Sequence, residues 1–348
     1  MQPVDALERI AYLLDRVLAE SHRVQAYVRA ADVVRGLSPG ELEARHRDGT
    51  LTELAGIGPK TASIITETLN GKVPSYLEEL ETTTIVPLGE GAELRAALKG
   101  DCHSHTDWSD GGAALEVMAR AAMALGHEYL VVTDHSPRLT VAHGLNRERL
   151  LRQLEAIAAL NGELAPFRVL TGMEVDILAD GGLDLDDDLL ARLDVVVASV
   201  HSKLSMPAPD MTRRMVVAVA NPHVDILGHC TGRKVPGRMR QVGQSDFAGR
   251  KGSEFDADLV FAACARFETA VEINCRPERQ DPPDELLDTA LEWGCRISID
   301  TDAHAPGQLE WQPFGCDKAA RHGITPDQVV NTLPADDLLA WAASHPTD

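Results

Sequence analysis

The segment GDCHSHTDWSDGG at residues 100–112 concentrates side chains that bind metal ions. His103, His105, Asp107 and Asp110 lie within eight positions and are followed by a glycine pair. Mixed imidazole and carboxylate ligation suits Mn²⁺, Fe²⁺ or Zn²⁺, and the sequence does not choose among them. The segment therefore predicts a divalent metal centre whose remaining ligands come from elsewhere in the chain.

Further histidines and acids follow short apolar runs that are typical of β-strands. Helical stretches such as residues 146–164 separate most of these runs. The alternation predicts a parallel α/β sheet, and seven strands of this length predict a distorted (β/α)7 barrel related to the (β/α)8 type. The candidate strands lie in segments 101–105, 129–135, 168–177, 194–202, 224–230, 269–275 and 295–304.

The ends of these strands predict where the ligands meet. In a βα-barrel, the carboxyl ends of the strands and the loops after them build the active site. The HxH pair at 103–105 and the DxH pair at 302–304 also place both members on one side of an extended strand. We therefore expect one rim to collect nine ligands: His103, His105, Asp110, His135, Glu174, His201, His229, Asp302 and His304.

The first 80 or so residues are predicted to form a small all-α domain. The sequence SPGE begins a helix with Ser38 as its N-cap and Pro39 in its first turn. Residues 51–71 contain two short helices joined by Gly56-Ile57-Gly58, and the exposed amides of such a helix start form an anion site, although an ordinary helical hairpin explains the same pattern. We predict a helical domain at 1–84, a linker at 85–98 and a barrel domain at 99–348.

Composition limits the possible functions. The 348 residues are 44% hydrophobic, which is enough for a sizeable core, and the formal net charge of −21 argues against coating nucleic acid through the overall field. Any contact with nucleic acid must therefore be local. The six cysteines form no CxxC pair, and the sequence shows neither an export signal nor a membrane-spanning apolar run. We expect a globular protein of the cytoplasm.

Seven short motifs in order, HSHTDWSDG, TDHS, GMEVDI, SVHS, GHCTGR, VEIN and DTDAH, resemble the polymerase and histidinol phosphatase (PHP) family over residues 99–330. Residues 5–80 resemble the N-terminal eight-kilodalton domain of bacterial family X DNA polymerases, including its helix-hairpin-helix. The barrel segment looks closest to the PHP domain that sits behind those polymerases. Only about 18 residues separate the two parts, too few for a polymerase palm. We therefore expect no polymerase activity.

The resemblance implies two to three divalent ions and a division of the ligands among them. The first ion would be held by His103, His105, Glu174 and Asp302, the second by Glu174, His201 and His229, and the third by Asp110, His135 and His304. Such ions activate water, clamp phosphoryl oxygens and stabilise the leaving oxygen, so no side-chain nucleophile is needed. The predicted catalytic residues are Glu174, Asp302, His304 and Arg233.

A basic segment that follows His229 is the predicted contact with substrate phosphate. Residues 232–251 carry six basic residues against one acid: Arg233, Lys234, Arg238, Arg240, Arg250 and Lys251. The family's TGR motif singles out Arg233, and Lys203 and Arg279 are further predicted phosphate contacts. Where the related polymerases tend to read NANP, this chain reads NCRP, so Arg276 is a departure within the pocket.

The sequence leaves three functions open. The first is a phosphoesterase acting on DNA, as a 3′–5′ exonuclease or an abasic-site endonuclease, with Gly56, Ile57, Gly58 and Lys60 contacting the DNA backbone without sequence specificity. The second is a small-molecule phosphatase acting on histidinol phosphate or a nucleotide. The third is a non-catalytic DNA-binding accessory protein, which the complete ligand set disfavours.

Overall fold

The computed structural model describes residues 1–236 and 249–346. The described residues divide into two compact units, one at 1–85 and the other at 86–236 and 249–346. Two residues of the predicted basic segment, Arg238 and Arg240, lie outside the described residues. Within the described ranges, no helix combines the length and apolar character that crossing a membrane requires. The cytoplasmic location stays a prediction.

The first unit consists of helices α1 to α5, at Pro3–Arg16, Ser21–Gly36, Pro39–Asp48, Pro59–Leu69 and Ser75–Thr83. Their apolar faces pack into one cluster in which Ile10, Leu14 and Ile65 are fully buried. The Ser38 side chain accepts a hydrogen bond from the Glu41 amide, as predicted for the start of α3. The expected first helix of the hairpin is only a 3₁₀ turn, Leu51–Glu53, because glycines at positive φ bound it at positions 49 and 56.

The second unit is built on seven parallel strands that pair in chain order. A bridge between Ser104 and Ala303, with the His105 amide 2.8 Å from the Ala303 carbonyl, joins the segments that follow the first and last strands. The sheet is therefore a nearly closed barrel, as predicted. Strands β1 to β7 are Gly100–Asp101, Tyr129–Val132, Arg168–Asp176, Val195–Ser199, Ile226–Leu227, Ala270–Asn274 and Ile297–Asp300.

Helices surround the barrel and cover its outer face. Strands β2 and β4 are buried along their whole length, which is why they read as continuous apolar runs. The helices of this unit, α6 to α14, are Ala92–Ala97, Leu115–Ala124, Arg147–Leu164, Asp187–Leu190, Ala208–Val219, Ala257–Phe267, Asp284–Glu292, Gln312–Arg321 and Ala335–Ala342.

The segment predicted as a linker, residues 85–98, contains α6. The amides of Gly89 and Gly91 donate to the Asp317 carboxylate of α13, at 3.0 and 2.8 Å, and Leu94 is buried. From residue 86 the chain thus belongs to the compact unit of the barrel. A glycine-rich sequence resembles a linker, but here it lets the backbone approach a carboxylate closely.

Gly228 shows how tightly the strands that carry the ligands are packed. A Cβ atom at this position would lie 2.3 Å from Ser199 Oγ and 2.7 Å from Val197 Cγ1. Gly228→Ala should therefore push β5 away from β4, lower the free energy of unfolding by about 1–3 kcal/mol and displace the neighbouring His229. Urea denaturation measures the first effect, and elemental analysis of bound metal measures the second.

The matched control for that variant is Gly162→Ala in α8. No atom lies within 4 Å of a Cβ built at Gly162, and the position is helical. Stability should stay the same or rise slightly, since alanine favours the helix over glycine. Equal stability of the Gly228→Ala protein and the wild type would contradict the packing argument.

Candidate active site

The nine predicted ligands lie together at the carboxyl ends of the barrel strands. The structure brings every one of them into contact range of another, and it does so from six strands. His103 and His105 follow β1, Asp110 lies in the same loop, His135 follows β2, Glu174 is in β3, His201 follows β4, His229 follows β5, and Asp302 and His304 follow β7. Asp107 is exposed and belongs to none of the ligand groups found among the described residues.

Glu174 is the centre of this cluster. Its Oε1 lies 2.8 Å from His229 Nε2 and 3.2 Å from His201 Nε2, whereas its Oε2 lies 2.9 Å from His135 Nδ1. The two oxygens therefore serve different histidines, the arrangement that a bridging carboxylate requires. Burial opposes ionisation, but His201, His103 and His135 hold the pKa of the Glu174 carboxyl well below its usual value. The carboxyl group is ionised at neutral pH, the form that ligates a cation.

Two aspartates complete the cluster, of which Asp110 is exposed and Asp302 is buried. Asp110 Oδ1 lies 3.5 Å from His135 Nε2 and 3.4 Å from His304 Nε2. Asp302 Oδ1 lies 3.4 Å from His105 Nε2. Burial opposes ionisation of Asp302 as well, but Arg276, His103 and Arg279 hold its pKa well below the usual value.

The backbone at Asp302 departs from the extended strand that the DxH spacing predicts. Its φ is +51°, in the left-handed region that non-glycine residues rarely adopt. Strand β7 has already ended at Asp300. Asp302 and His304 therefore reach the cluster from the segment after the strand. The prediction that this pair lies on an extended strand was wrong. Backbone strain of this kind is common at functional sites.

The donor set fits divalent metal ions. Several ring nitrogens are buried without a hydrogen-bond partner among the described residues, including Nε2 of His103, both nitrogens of His105 and both nitrogens of His201. Unpaired buried polar atoms cost about 1–3 kcal/mol each, so their convergence needs an explanation, and ligation supplies one. Three overlapping groups form: His105–Asp110–His135–His304, His103–His105–Glu174 and His135–Glu174–His201. The number of ions and their division of the ligands stay predictions.

Buried acids that contact the predicted ligands hold them in their orientation. Glu272 Oε1 lies 2.6 Å from His103 Nδ1, and Glu272 Oε2 accepts the His229 amide. Asp176 accepts the His201 amide at 3.1 Å. These contacts leave Nε2 of each ring directed at the cluster. Sequence reasoning missed both acids as supporting residues, although they stand within the VEIN and GMEVDI motifs.

The first loop is anchored by a buried carboxylate next to a ligand. Asp134 accepts hydrogen bonds from the Thr106 amide at 2.9 Å, from the Ser109 hydroxyl and from Gln153 Nε2. Ser109 thus holds the loop that carries Asp110. The arrangement gives the Ser109 hydroxyl a structural partner, because the carboxylate that accepts it also accepts Thr106 and Gln153 and so holds the loop together.

A cavity of about 350 Å³ opens directly onto the ligand cluster. Its lining includes three cations, Lys234, Arg276 and Arg279, and five of the nine predicted ligands: Asp110, His135, His201, Asp302 and His304. Arg279 Nε lies 3.2 Å from Asp302 Oδ2, and Arg276 Nη1 lies 2.9 Å from His304 Nδ1. Cations that lie next to a predicted metal centre in a small cavity suit a phosphate group bound at that centre.

Two of the three predicted phosphate contacts do not line this cavity. Arg233 donates to the backbone carbonyls of Arg279, at 3.1 Å, and Gln280, and it lines a separate cavity of about 400 Å³. Lys203 is exposed and outside both linings. A turn at Gly232, whose φ is +64°, aims Arg233 away from the ligands, so it holds Arg279 in place. Lys234 and Arg276 occupy the wall that Arg233 was expected to form.

The predicted DNA contacts of the first unit lie beside a separate groove of about 770 Å³. Gly56, Gly58 and Lys60 line it, together with Tyr27 and Tyr76. The two tyrosine rings stack with centroids 6.2 Å apart. Tyr27 is buried, so the groove combines the cation of Lys60 with the half-buried ring of Tyr76, and a cation beside an aromatic ring can bind nucleotides.

The turn amides contribute less to this groove than the sequence predicts. The Ile57 side chain is buried in the core of the unit, and its amide donates to the Leu54 carbonyl at 3.0 Å. The Gly58 amide donates to Thr61 Oγ1 at 2.9 Å. Since these two donors are used within the unit, Lys60 becomes the main candidate for a phosphate contact there.

Comparisons with known proteins agree with this architecture. Residues 1–73 match the model of a helix-hairpin-helix domain, and residues 101–229 match that of the PHP domain. The fold, the ligand-rich site and these matches define a metal-dependent phosphoesterase. The chain belongs to the PHP family, with a helix-hairpin-helix domain ahead of the PHP barrel.

Individual relatives share parts of this arrangement. The chain is 40% identical over 271 residues to the DNA polymerase/3′-5′ exonuclease PolX of Bacillus subtilis, a match that covers 78% of this chain but 44% of that protein. It is 30% identical to a probable phosphatase of Acetivibrio thermocellus, covering 48% of this chain and 73% of that one. A solved histidinol phosphate phosphatase from Lactococcus lactis matches 65% of this chain and 94% of its own, with a TM-score of 0.44 and 17% identity.

Removing the charge of Glu174 should reduce metal binding more than removing any single histidine, because its two oxygens serve different ligand groups. We expect Glu174→Gln to lower the metal content by at least one ion per chain, as measured by elemental analysis of protein purified without chelators. Glu163→Gln, an exposed position on α8, is the control for the loss of one negative charge. Wild-type metal content in the Glu174 variant would refute the bridging role.

Proposed function

We propose that the protein hydrolyses phosphodiester bonds in DNA, as a 3′–5′ exonuclease or an abasic-site endonuclease. The observation that carries the proposal is the cavity whose lining combines five of the nine metal-capable side chains with three cations. A phosphate in this cavity would meet those cations and the metal ions that the predicted ligands would hold. Divalent ions held by the nine ligands would activate water and stabilise the leaving oxygen.

The protein's own residues position the substrate around that chemistry. Arg279 and Arg276 lie against Asp302 and His304, so their remaining N–H groups can donate to non-bridging phosphoryl oxygens. Arg276 also packs over the Trp311 ring, 5.4 Å from its centroid, which limits the movement of its guanidinium group. These contacts would fix the phosphorus relative to the metal ligands, which is how positioning lowers the barrier.

Features of the first unit favour DNA over small phosphate esters as the substrate. Its groove offers Lys60 and a stacked tyrosine pair, whereas a small phosphate ester needs no contact outside the barrel. The similarity to a relative named for polymerase and 3′-5′ exonuclease activity supports the same substrate. The chain spans less than half of that relative's length, so exonuclease activity is proposed for this chain and is not inherited from the relative.

A small-molecule phosphatase is the second candidate. The cavity of about 350 Å³ is large enough for a nucleotide or for histidinol phosphate. Relatives named as probable phosphatases support it, including one from Thermoanaerobacter that is 28% identical over 67% of this chain and 89% of its own length. A non-catalytic accessory role is disfavoured by the complete set of converging ligands.

A substrate screen separates these functions. Metal-loaded protein is assayed on single-stranded DNA, on a duplex with an abasic site, and on histidinol phosphate and nucleotide monoesters. We expect kcat/KM for one of the DNA substrates to exceed that for the monoesters by roughly tenfold or more. Hydrolysis of monoesters alone would favour the phosphatase. A metal-loaded protein that hydrolyses none of them would favour the accessory role.

The contribution of the first unit is tested by Lys60→Gln. Losing one phosphate contact should lower kcat/KM on long single-stranded DNA more than on a small diester. It should also make the slope of log(kcat/KM) against log salt less steep by about 0.7. Lys72→Gln makes the same charge change outside the groove lining and is the control. Identical salt slopes for Lys60→Gln and wild type would remove this argument for DNA.

A further inference from the structure

Three apolar residues of one loop line the active-site cavity. They are Leu139, Val141 and Ala142, and every other residue of the lining is charged or a histidine. The Val141 side chain is 86% exposed, more than any other large apolar side chain among the described residues, whereas Ala142 is buried. A side chain that lines a cavity and is still this exposed lies at its opening. The cavity therefore has an apolar edge where it meets solvent.

The loop that carries these residues is closed at its base next to a predicted ligand. It spans residues 136–145 and begins directly after His135. The Leu145 amide donates to the His135 carbonyl at 2.7 Å. A Cβ atom at Gly144 would lie 1.9 Å from the Ser136 carbonyl oxygen, so the lack of a side chain lets the two ends of the loop touch. The loop is therefore tied to the ligand that precedes it.

Further hydrogen bonds support the conformation of this loop. Residues Thr140–Ala142 form a 3₁₀ turn, in which the Ala142 amide donates to the Leu139 carbonyl at 3.0 Å. Arg149 of α8 donates through Nη1 to the His143 carbonyl at 2.5 Å. Ordering a free loop when a ligand binds costs conformational entropy, and a loop that is already ordered avoids that cost. The apolar residues are thus in place before a substrate arrives.

The apolar edge suits a part of the substrate other than its phosphate. The phosphate belongs beside the predicted ligands, because Arg276 and Arg279 contact two of them there. A DNA strand is larger than the cavity, so the rest of it leaves through the opening. The side chains of Leu139 and Val141 offer no hydrogen-bond donor or acceptor, and covering them with an apolar surface stabilises a complex. Every nucleobase has a flat face of this kind, whatever its hydrogen-bonding edge.

We propose that Val141 and Leu139 form the contact for a nucleobase attached to a sugar that flanks the reacting phosphate. This inference rests on the proposed function of the metal centre and narrows its substrate class. The preferred substrates carry a base next to that phosphate, as an intact DNA strand or a mononucleotide does. An abasic sugar at that position leaves the two side chains without a partner.

The test compares phosphate esters that differ only in the base. For diester hydrolysis, the dinucleotide d(TpT) is compared with analogues in which a tetrahydrofuran abasic residue replaces the first thymidine, the second, or both. For monoester hydrolysis, the pair is thymidine 5′-monophosphate and 1,2-dideoxyribose 5′-phosphate. We expect wild-type kcat/KM to favour the substrate with its bases over the fully abasic one by roughly fivefold or more. The singly abasic dinucleotides identify which base makes the contact.

Substitutions of Val141 test whether this side chain causes the preference. Val141→Ser removes apolar area and should lower the preference by roughly twofold or more, whereas Val141→Ile should retain it. The high exposure of Val141 means that neither change disturbs the packed core. The matched control is Val117→Ser, because Val117 is 50% exposed on α7 and lies outside the cavity lining. Its preference should equal that of the wild type.

Isothermal titration calorimetry of the metal-loaded proteins measures the contact without turnover. The ligands are the phosphonate analogue of thymidine 5′-monophosphate, in which a methylene group replaces the bridging oxygen and prevents hydrolysis, and its abasic counterpart. We expect the base to strengthen binding to the wild type by roughly fivefold or more. Val141→Ser should reduce that gain, and Val117→Ser should leave it unchanged.

The outcomes distinguish the base contact from the function on which it rests. Hydrolysis of substrates with and without bases at equal kcat/KM, or a preference that Val141→Ser leaves unchanged, would overturn the contact and retain the phosphoesterase. A protein that hydrolyses none of the substrates, but binds the phosphonate with a base more tightly in a way that depends on Val141, would retain the contact and reject the proposed function. Equal binding of the two phosphonates by the wild type would reject the contact.

Discussion

The buried carboxylate of Glu174 is the constraint around which the barrel is arranged. An ionised group without water is stable only when cations or hydrogen-bond donors surround it, because its desolvation costs several kcal/mol. The barrel meets this need by ending five different strands at histidines that face Glu174 or its neighbouring ligands. Gly228 allows β5 to pack closely against β4, and the next residue, His229, lies within 2.8 Å of that carboxylate.

Buried acids that contact the predicted ligands determine how the ligand side chains are oriented. Glu272 contacts both His103 and the amide of His229, so one carboxylate fixes a ring on β1 relative to the backbone of β5. Asn274 donates to Glu272 and to Asp302 at 3.2 Å each, which extends the network to the strained turn after β7. A buried network of this kind is rigid only when all its members are paired. The same network can therefore support Asp302 at a positive φ that would be unfavourable in an isolated chain.

The sequence was sufficient to predict the barrel and the convergence of nine metal-capable side chains, because continuous apolar runs identify buried parallel strands and the fold brings their carboxyl ends together. It was less informative where a turn decides the direction of a side chain. Arg233 follows His229 closely in sequence, yet the left-handed Gly232 directs it to the carbonyls of Arg279 and Gln280. The amides of Ile57 and Gly58 likewise looked available, but hydrogen bonds to Leu54 and Thr61 use them. Such outcomes depend on tertiary contacts that no local pattern encodes.

The net charge of the chain affects where a phosphate would be attracted to the protein. With a net charge of −21, the protein repels polyanions at a distance, so a phosphate gains attraction only where local cations exceed local acids. The predicted ligands include three carboxylates that divalent ions would neutralise, and the cavity beside them is lined by Lys234, Arg276 and Arg279. Metal binding and phosphate binding should therefore be coupled: each ion adds positive charge to the same small cavity, and each bound phosphate offsets the repulsion among the ions.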